Sequence, residues 1–188
     1  MSNKESYTSD EWSLLRSTPT FVSAGVAAAD PGGIIGALKE ATAGARVRGV
    51  RNQTADSEFF AALAGDRSFP AMPDPQSLLG QGDAATQATN FQHAVLQRTK
   101  DALGVVARKG TPQEVAGYRD LLEAVAESVA NASTEGGFLG FGGVRVSAKE
   151  ESFLSALAAA LDEAAGAAPS PAATESAASR LPVPPASG

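Results

Sequence analysis

The chain has 188 residues, no cysteine and a formal net charge of −6. Disulfides, thiolate metal sites and cysteine nucleophiles are excluded, and the acidic balance argues against nucleic acid as a partner, because phosphate binding needs a basic surface. Hydrophobic residues make up 43%, yet 38 residues are alanine, so the expected core is thin and built from closely packed helices in one domain plus tails.

Residues 1–7 read as a frayed, disordered end. The polar start lacks the apolar core of a signal peptide, and no apolar run in the chain reaches transmembrane length. The expectation is a soluble cytoplasmic protein. Thr8 and Glu11 form a capping box that starts a helix near Ser9. Pro19 interrupts its apolar stripe: either the helix kinks there, or Thr18 caps a new helix with Pro19 at its first position. The stripe runs through Pro19 in register, which favours a kink or a closely stacked pair. Trp12, the only tryptophan, reads as the anchor of the first turn.

A second helix is expected over residues 33–51, with Arg46, Arg48 and Arg51 complementing its C-terminal dipole. A third, within residues 54–65, carries Phe59, Phe60 and Leu63. Pro70, Pro73 and Pro75 then make residues 66–83 an irregular loop. A long helix follows over residues 84–109, with Phe91, Val95, Ala102 and Val106 inward. Its His93 is the only histidine; without a Cys partner or an H-x-x-E pattern it reads as a surface or packing residue. Gly110 ends this helix, and Thr111-Pro112-Gln113-Glu114 opens the next with a capping box and proline at the first helical position. So short a turn makes the two helices antiparallel neighbours. The last helix covers residues 148–165, with Phe153, Leu154, Leu157 and Leu161 inward. Residues 167–188 are rich in Pro, Ala and Ser and read as a disordered tail.

The most unusual stretch lies between the last two helices. Gly136, Gly137, Phe138, Leu139, Gly140, Phe141, Gly142 and Gly143 interleave glycines with large apolar side chains, which suits a shaped turn better than a flexible linker. Ser147 and Glu150 then form a third capping box. Gly32-Gly33-Ile34-Ile35-Gly36 echoes this run. The stripes before the two runs also match, Trp12, Leu15, Pro19, Val22, Val26 and Ala29 aligning with Val115, Tyr118, Leu122, Val125, Val129 and Ala132 at a constant offset of 103 residues. We read an imperfect duplication of a helix–Gly turn–helix unit, about residues 8–51 and 112–165, inside an all-α bundle of about six helices spanning residues 8–166.

The C-terminal part, from Tyr118 to Leu161, resembles that of uncharacterised small bacterial all-α proteins with the ending V-A-x-A…GGFLGFGG-V-x-V-S-x-x-E, and Phe21 to Glu40 fits the same family. That resemblance implies a helical fold and carries no activity. More distantly, Ala27-Ala28-Ala29-Asp30 is similar to the helix-to-loop junction of TerB-like tellurite-resistance domains. Those place acidic residues at helix–loop–helix turns for metal, where this chain has Pro31-Gly32-Gly33-Ile34-Ile35.

No Walker loop, nucleophile elbow, zincin motif or kinase signature is present, so the expected function is non-enzymatic: a bacterial helical scaffold or interaction module with a protein partner or self-association. No cofactor is called for on this reading. An alternative is a divalent-metal site made by Asp30, Glu40, Glu135 and Glu150, which flank the two Gly turns and offer oxygen ligands. A third is membrane or apolar-ligand contact through Phe138, Leu139 and Phe141, which the acidic charge disfavours at anionic lipid.

Overall fold

The computed structural model describes residues 2–28, 57–68, 70–71, 73–135 and 147–166, with the side chains of residues 75, 76 and 132–135 outside this set. Among the described residues there are six α-helices and no strand, an all-α bundle as expected. They are α1 (Ser9–Ala27), α2 (Glu58–Gly65), α3 (Pro75–Leu79), α4 (Ala84–Lys109), α5 (Pro112–Glu135) and α6 (Ala148–Gly166). No described helix is long and apolar enough to cross a membrane.

Local chemistry explains where the long helices start. Thr8 Oγ1 accepts from the Glu11 N–H while Glu11 Oε2 accepts from the Thr8 N–H at 2.8 Å. Thr111 with Glu114 and Ser147 with Glu150 repeat this arrangement, each glutamate accepting the N-cap N–H at 2.7 Å. Each box satisfies two donors that a helix start would otherwise leave unpaired. Helix α4 has a simpler cap: the Asp83 carboxylate accepts from the Thr86 N–H at 2.8 Å.

Pro19 lies inside one continuous α1. Proline has no N–H to offer the carbonyl four residues earlier, which belongs to Leu15. Tyr118 of α5 supplies the missing donor, its hydroxyl reaching the Leu15 carbonyl at 2.8 Å. The turn before the proline is also tied down by side chains, Ser17 Oγ donating to the Ser13 carbonyl and Thr18 Oγ1 to the Leu14 carbonyl at 2.7 Å. Thr18 therefore bonds backward within α1 and does not cap a new helix. Both hydroxyl residues and Pro19 are buried.

The four long helices enclose the core. Helix α4 runs antiparallel to α1: Lys109 at its end pairs with Glu11 at the start of α1, Gln92 near its start donates to the Gly25 carbonyl at 3.2 Å, and Phe21 meets Phe91 at 6.2 Å between ring centroids. The Gly110–Thr111 turn sends α5 back beside α4, which leaves α5 parallel to α1. Helix α6 returns against α5, joined by Arg119 and Asp162 at 2.7 Å. Leu15, Val22, Leu103, Leu121, Leu122 and Leu161 are fully buried, and each side chain of this kind contributes about 1.5–3 kcal/mol. Phe91, Val95, Ala102 and Val106 line the inner face of α4, as read from its spacing. Phe153, Leu157 and Leu161 do the same on α6, whereas Leu154 is only partly buried.

The helices pack closest at Gly25. A Cβ there would sit 2.7 Å from the Phe153 ring and 3.2 Å from Val95. Glycine lets α1 approach α4 and α6 at the cost of helix propensity, about 1 kcal/mol relative to alanine.

Two sequence readings are corrected. Residues 2–7, expected to fray, are packed: Lys4–Ser6 form a 3-10 turn, and Ser2 and Tyr7 are buried. Hydrogen bonds to residues 62 or more positions away hold this segment, and no local sequence pattern reveals such partners. The stretch 66–83 is not irregular throughout, since Pro75 starts α3, where its fixed φ suits the first helical position. The third helix begins at Glu58, residues 54–56 lying outside the described set. The expected helix over residues 33–51 also lies outside it, as does the tail 167–188.

Candidate functional site

The residues singled out from sequence fall unevenly. Asp30, Glu40 and the whole Gly136–Gly143 run lie outside the described residues. Glu135 is the last residue of α5, with its side chain outside that set. Glu150 is described, and one of its oxygens takes the Ser147 N–H of the α6 capping box. Among the described residues no three His, Cys, Asp or Glu side chains are grouped to hold a metal ion. His93 is exposed.

Topology nevertheless brings the described ends of α1, α5 and α6 next to these residues in the chain to one end of the bundle. Because α1 and α5 are parallel, Ala27 and Glu135 end at the same pole. Phe153 in the second turn of α6 packs on Gly25 near the end of α1, so α6 starts there too. Both Gly-rich segments are thus tethered at that pole, one leaving α1 and the other joining α5 to α6.

The opposite pole holds two carboxylates that sequence reading had not marked as a centre. Asp66, just after α2, accepts from Lys4 Nζ at 2.8 Å, Trp12 Nε1 at 2.9 Å, the Ser68 N–H at 2.9 Å and Ser68 Oγ at 2.6 Å. Arg16 stands 3.5 Å from the same carboxylate and donates to the Asp66 carbonyl at 2.7 Å. The Lys4 ammonium first, then the Ser68 hydroxyl, hold this carboxyl well below the usual carboxylate range against the opposing effect of burial.

Glu114 is 2% exposed. Besides capping α5, it accepts from the Ser2 N–H at 2.9 Å and from Ser2 Oγ at 3.0 Å. Burial pushes its carboxyl up, but the N–H donors of Thr111 and Ser2 outweigh that and the net shift is downward. Between the two carboxylates lies an aromatic cluster. Tyr7 stands 5.7 Å from both Trp12 and Phe59, and Phe59 stands 4.9 Å from Phe60.

A third polar group sits mid-bundle. Arg98 of α4 lies over the Phe21 ring at 4.7 Å and donates to Ser17 Oγ. Its Nε is buried with no partner among the described residues, and burial lowers its pKa from the ordinary arginine value. Finally, an open groove of about 370 Å³ runs between α4 and α6, floored by Gly104 and Val105 and rimmed by Lys100, Arg108 and Glu163.

Chemically, Asp66 and Glu114 are ionised acceptors already held by donors from the chain itself. A general base needs a lone pair aimed at a substrate proton, and these lone pairs are aimed at Lys4, Trp12, Ser68, Ser2 and Thr111. The Tyr118 hydroxyl is committed to Leu15, and burial pushes its pKa up. Asp83, as a helix cap, was legible from its place before an apolar-periodic run. Asp66 and Arg98 carried no comparable signal.

Comparison with protein-family models, curated proteins and solved structures finds no match.

Proposed function

We propose that the chain is a non-enzymatic helical scaffold or protein-interaction module of a bacterial cytoplasm, acting through the pole that carries its two Gly-rich segments. One observation carries this reading: the buried polar groups Asp66, Glu114 and Tyr118 each join segments 50 or more residues apart. Among the described residues, Asp66 and Glu114 tie segments together at the pole opposite the ends of α1 and α5. Interleaved glycines and large apolar side chains in residues 136–143 suit contact with another protein surface, where apolar anchors carry most of the binding energy. The shared offset of the Thr8–Glu11 and Thr111–Glu114 boxes, again 103 residues, supports a duplicated unit.

A second reading places a divalent ion among Asp30, Glu40, Glu135 and Glu150. The convergence of the α1 and α5 ends with the α6 start favours it, because Glu135 and Glu150 stand at that pole and Asp30 follows the end of α1 by three residues in the sequence. Glu150 would need to serve an ion while keeping its cap. Native mass spectrometry of protein purified without chelators tests both readings. An apo mass with a defined oligomer, or with co-purifying protein lost when residues 136–143 are replaced by a Gly/Ser linker, supports the module. A retained ion lost in Asp30→Ala or Glu150→Ala replaces it with the metal reading.

A further inference from the structure

We propose that residues 2–7 form a hinged cover over the aromatic end of the bundle, opening as a unit while the four long helices stay folded. The cover is fixed at a few points. Ser2 gives its N–H and hydroxyl to Glu114, Lys4 gives its ammonium to Asp66, and the Tyr7 ring lies against Trp12 and Phe59. Between Ser2 and Tyr7 no residue is buried, so the Tyr7 ring is the one apolar anchor that resists opening. Segments with few buried contacts and exposed backbone hydrogen bonds open at low free energy.

The backbone supplies the hinge. The 3-10 turn bonds internally, Ser6 N–H to the Asn3 carbonyl and Tyr7 N–H to the Lys4 carbonyl. Tyr7 is extended, so rotation at its backbone swings the turn while the Thr8–Glu11 capping box keeps the start of α1 in place. An open groove of about 220 Å³ lies beside the cover, lined in part by Lys4, Tyr7, Trp12, Arg16 and Ser68.

Opening leaves Glu114 without Ser2 and Asp66 without Lys4, beside the uncovered Trp12 ring. That surface suits a segment carrying a hydroxyl, an ammonium and an aromatic ring, and residues 2–7 are its occupant. The cover is a built-in competitor for any partner of the same chemistry.

The test uses the full chain with Ser2→Pro and Lys4→Ala together, which remove the two polar fixings and leave the Tyr7 ring and the four long helices unaltered. Trp12 is the only tryptophan, so quenching of its fluorescence by acrylamide reads the cover directly. The quenching constant should rise at least two-fold. Off the bundle so short a turn does not keep its internal hydrogen bonds, so exchange of the Ser6 and Tyr7 amides should accelerate at least ten-fold, with the amides of Val95 and Leu103 unchanged. Equal acceleration at all four amides, or no change at Ser6 and Tyr7, overturns the proposal. A second check needs no variant: in wild-type protein, Ser6 and Tyr7 should exchange at rates insensitive to low denaturant. Exchange that tracks Val95 and Leu103 as denaturant rises also overturns it.

Discussion

Helices α1 and α5 open on the same Thr-x-x-Glu box and carry the same 3-4 apolar spacing, yet each depends on the rest of the molecule in a different way. Glu11, the cap of α1, keeps 22% of its side chain exposed and pairs with Lys109 at the surface. Its counterpart Glu114 is buried and holds Ser2 as well as Thr111. Pro19 breaks the hydrogen-bond ladder of α1, while α5 has Leu122 at the aligned position and needs no repair. Tyr118 of α5 makes the repair. Local sequence sets where both helices begin, and tertiary contacts decide what each cap and each turn must also do.

The aligned positions 25 and 128 offer the largest way to sharpen this comparison. Gly25 faces Phe153 and Val95 at closest approach, whereas Ser128 is exposed. Gly25→Val should destabilise by about 1–3 kcal/mol through overpacking, and Ser128→Val should stay within about 0.5 kcal/mol. Urea denaturation of both variants checks the difference; equal effects would remove the claimed asymmetry.

The caps come next. Glu114→Gln weakens hydrogen bonds to a charged acceptor and should destabilise by about 1.5–3 kcal/mol, while Glu11→Gln at the surface should change stability by less than about 1 kcal/mol. Their acid response follows from the same groups. The pKa values of Asp66, Glu11 and Glu114 are all lowered in the folded state. Their contribution is therefore present above the unfolded carboxylate range, near about pH 4, and is lost as pH falls through the lower folded values. Thermal midpoints measured from pH 6 down to pH 2 should fall with acidification, and less steeply in Glu114→Gln than in wild type.

The sequence made the helical architecture legible wherever the signal is local. Capping boxes at Thr8, Thr111 and Ser147, the stop at Gly110 and the inward stripe of α4 all depend on residues within a few positions of one another. Asp66 was illegible for the opposite reason: its partners Lys4 and Trp12 come from another segment, and nothing near residue 66 marks it. Residues 2–7 misled for the same reason, since a polar stretch reads as frayed unless its distant acceptor Glu114 is known to be buried. Tyr118 was visible as a core position, but its hydroxyl gained a purpose only when Pro19 was found opposite it. The candidate site itself was legible only as segments, through the Gly-rich runs, and the fold adds that both are tethered at one pole.

The most direct test of the account is a double-mutant cycle between Pro19 and Tyr118. In the wild-type background, Tyr118→Phe strands the Leu15 carbonyl in the core and should destabilise by about 1–3 kcal/mol. In the Pro19→Ala background, residue 19 regains its N–H and serves that carbonyl itself, so removing the tyrosine hydroxyl should matter much less. A coupling of about 1 kcal/mol or more, measured by urea denaturation of all four proteins, is the predicted result. Additive effects of the two substitutions would contradict the claim that α5 repairs the proline break in α1.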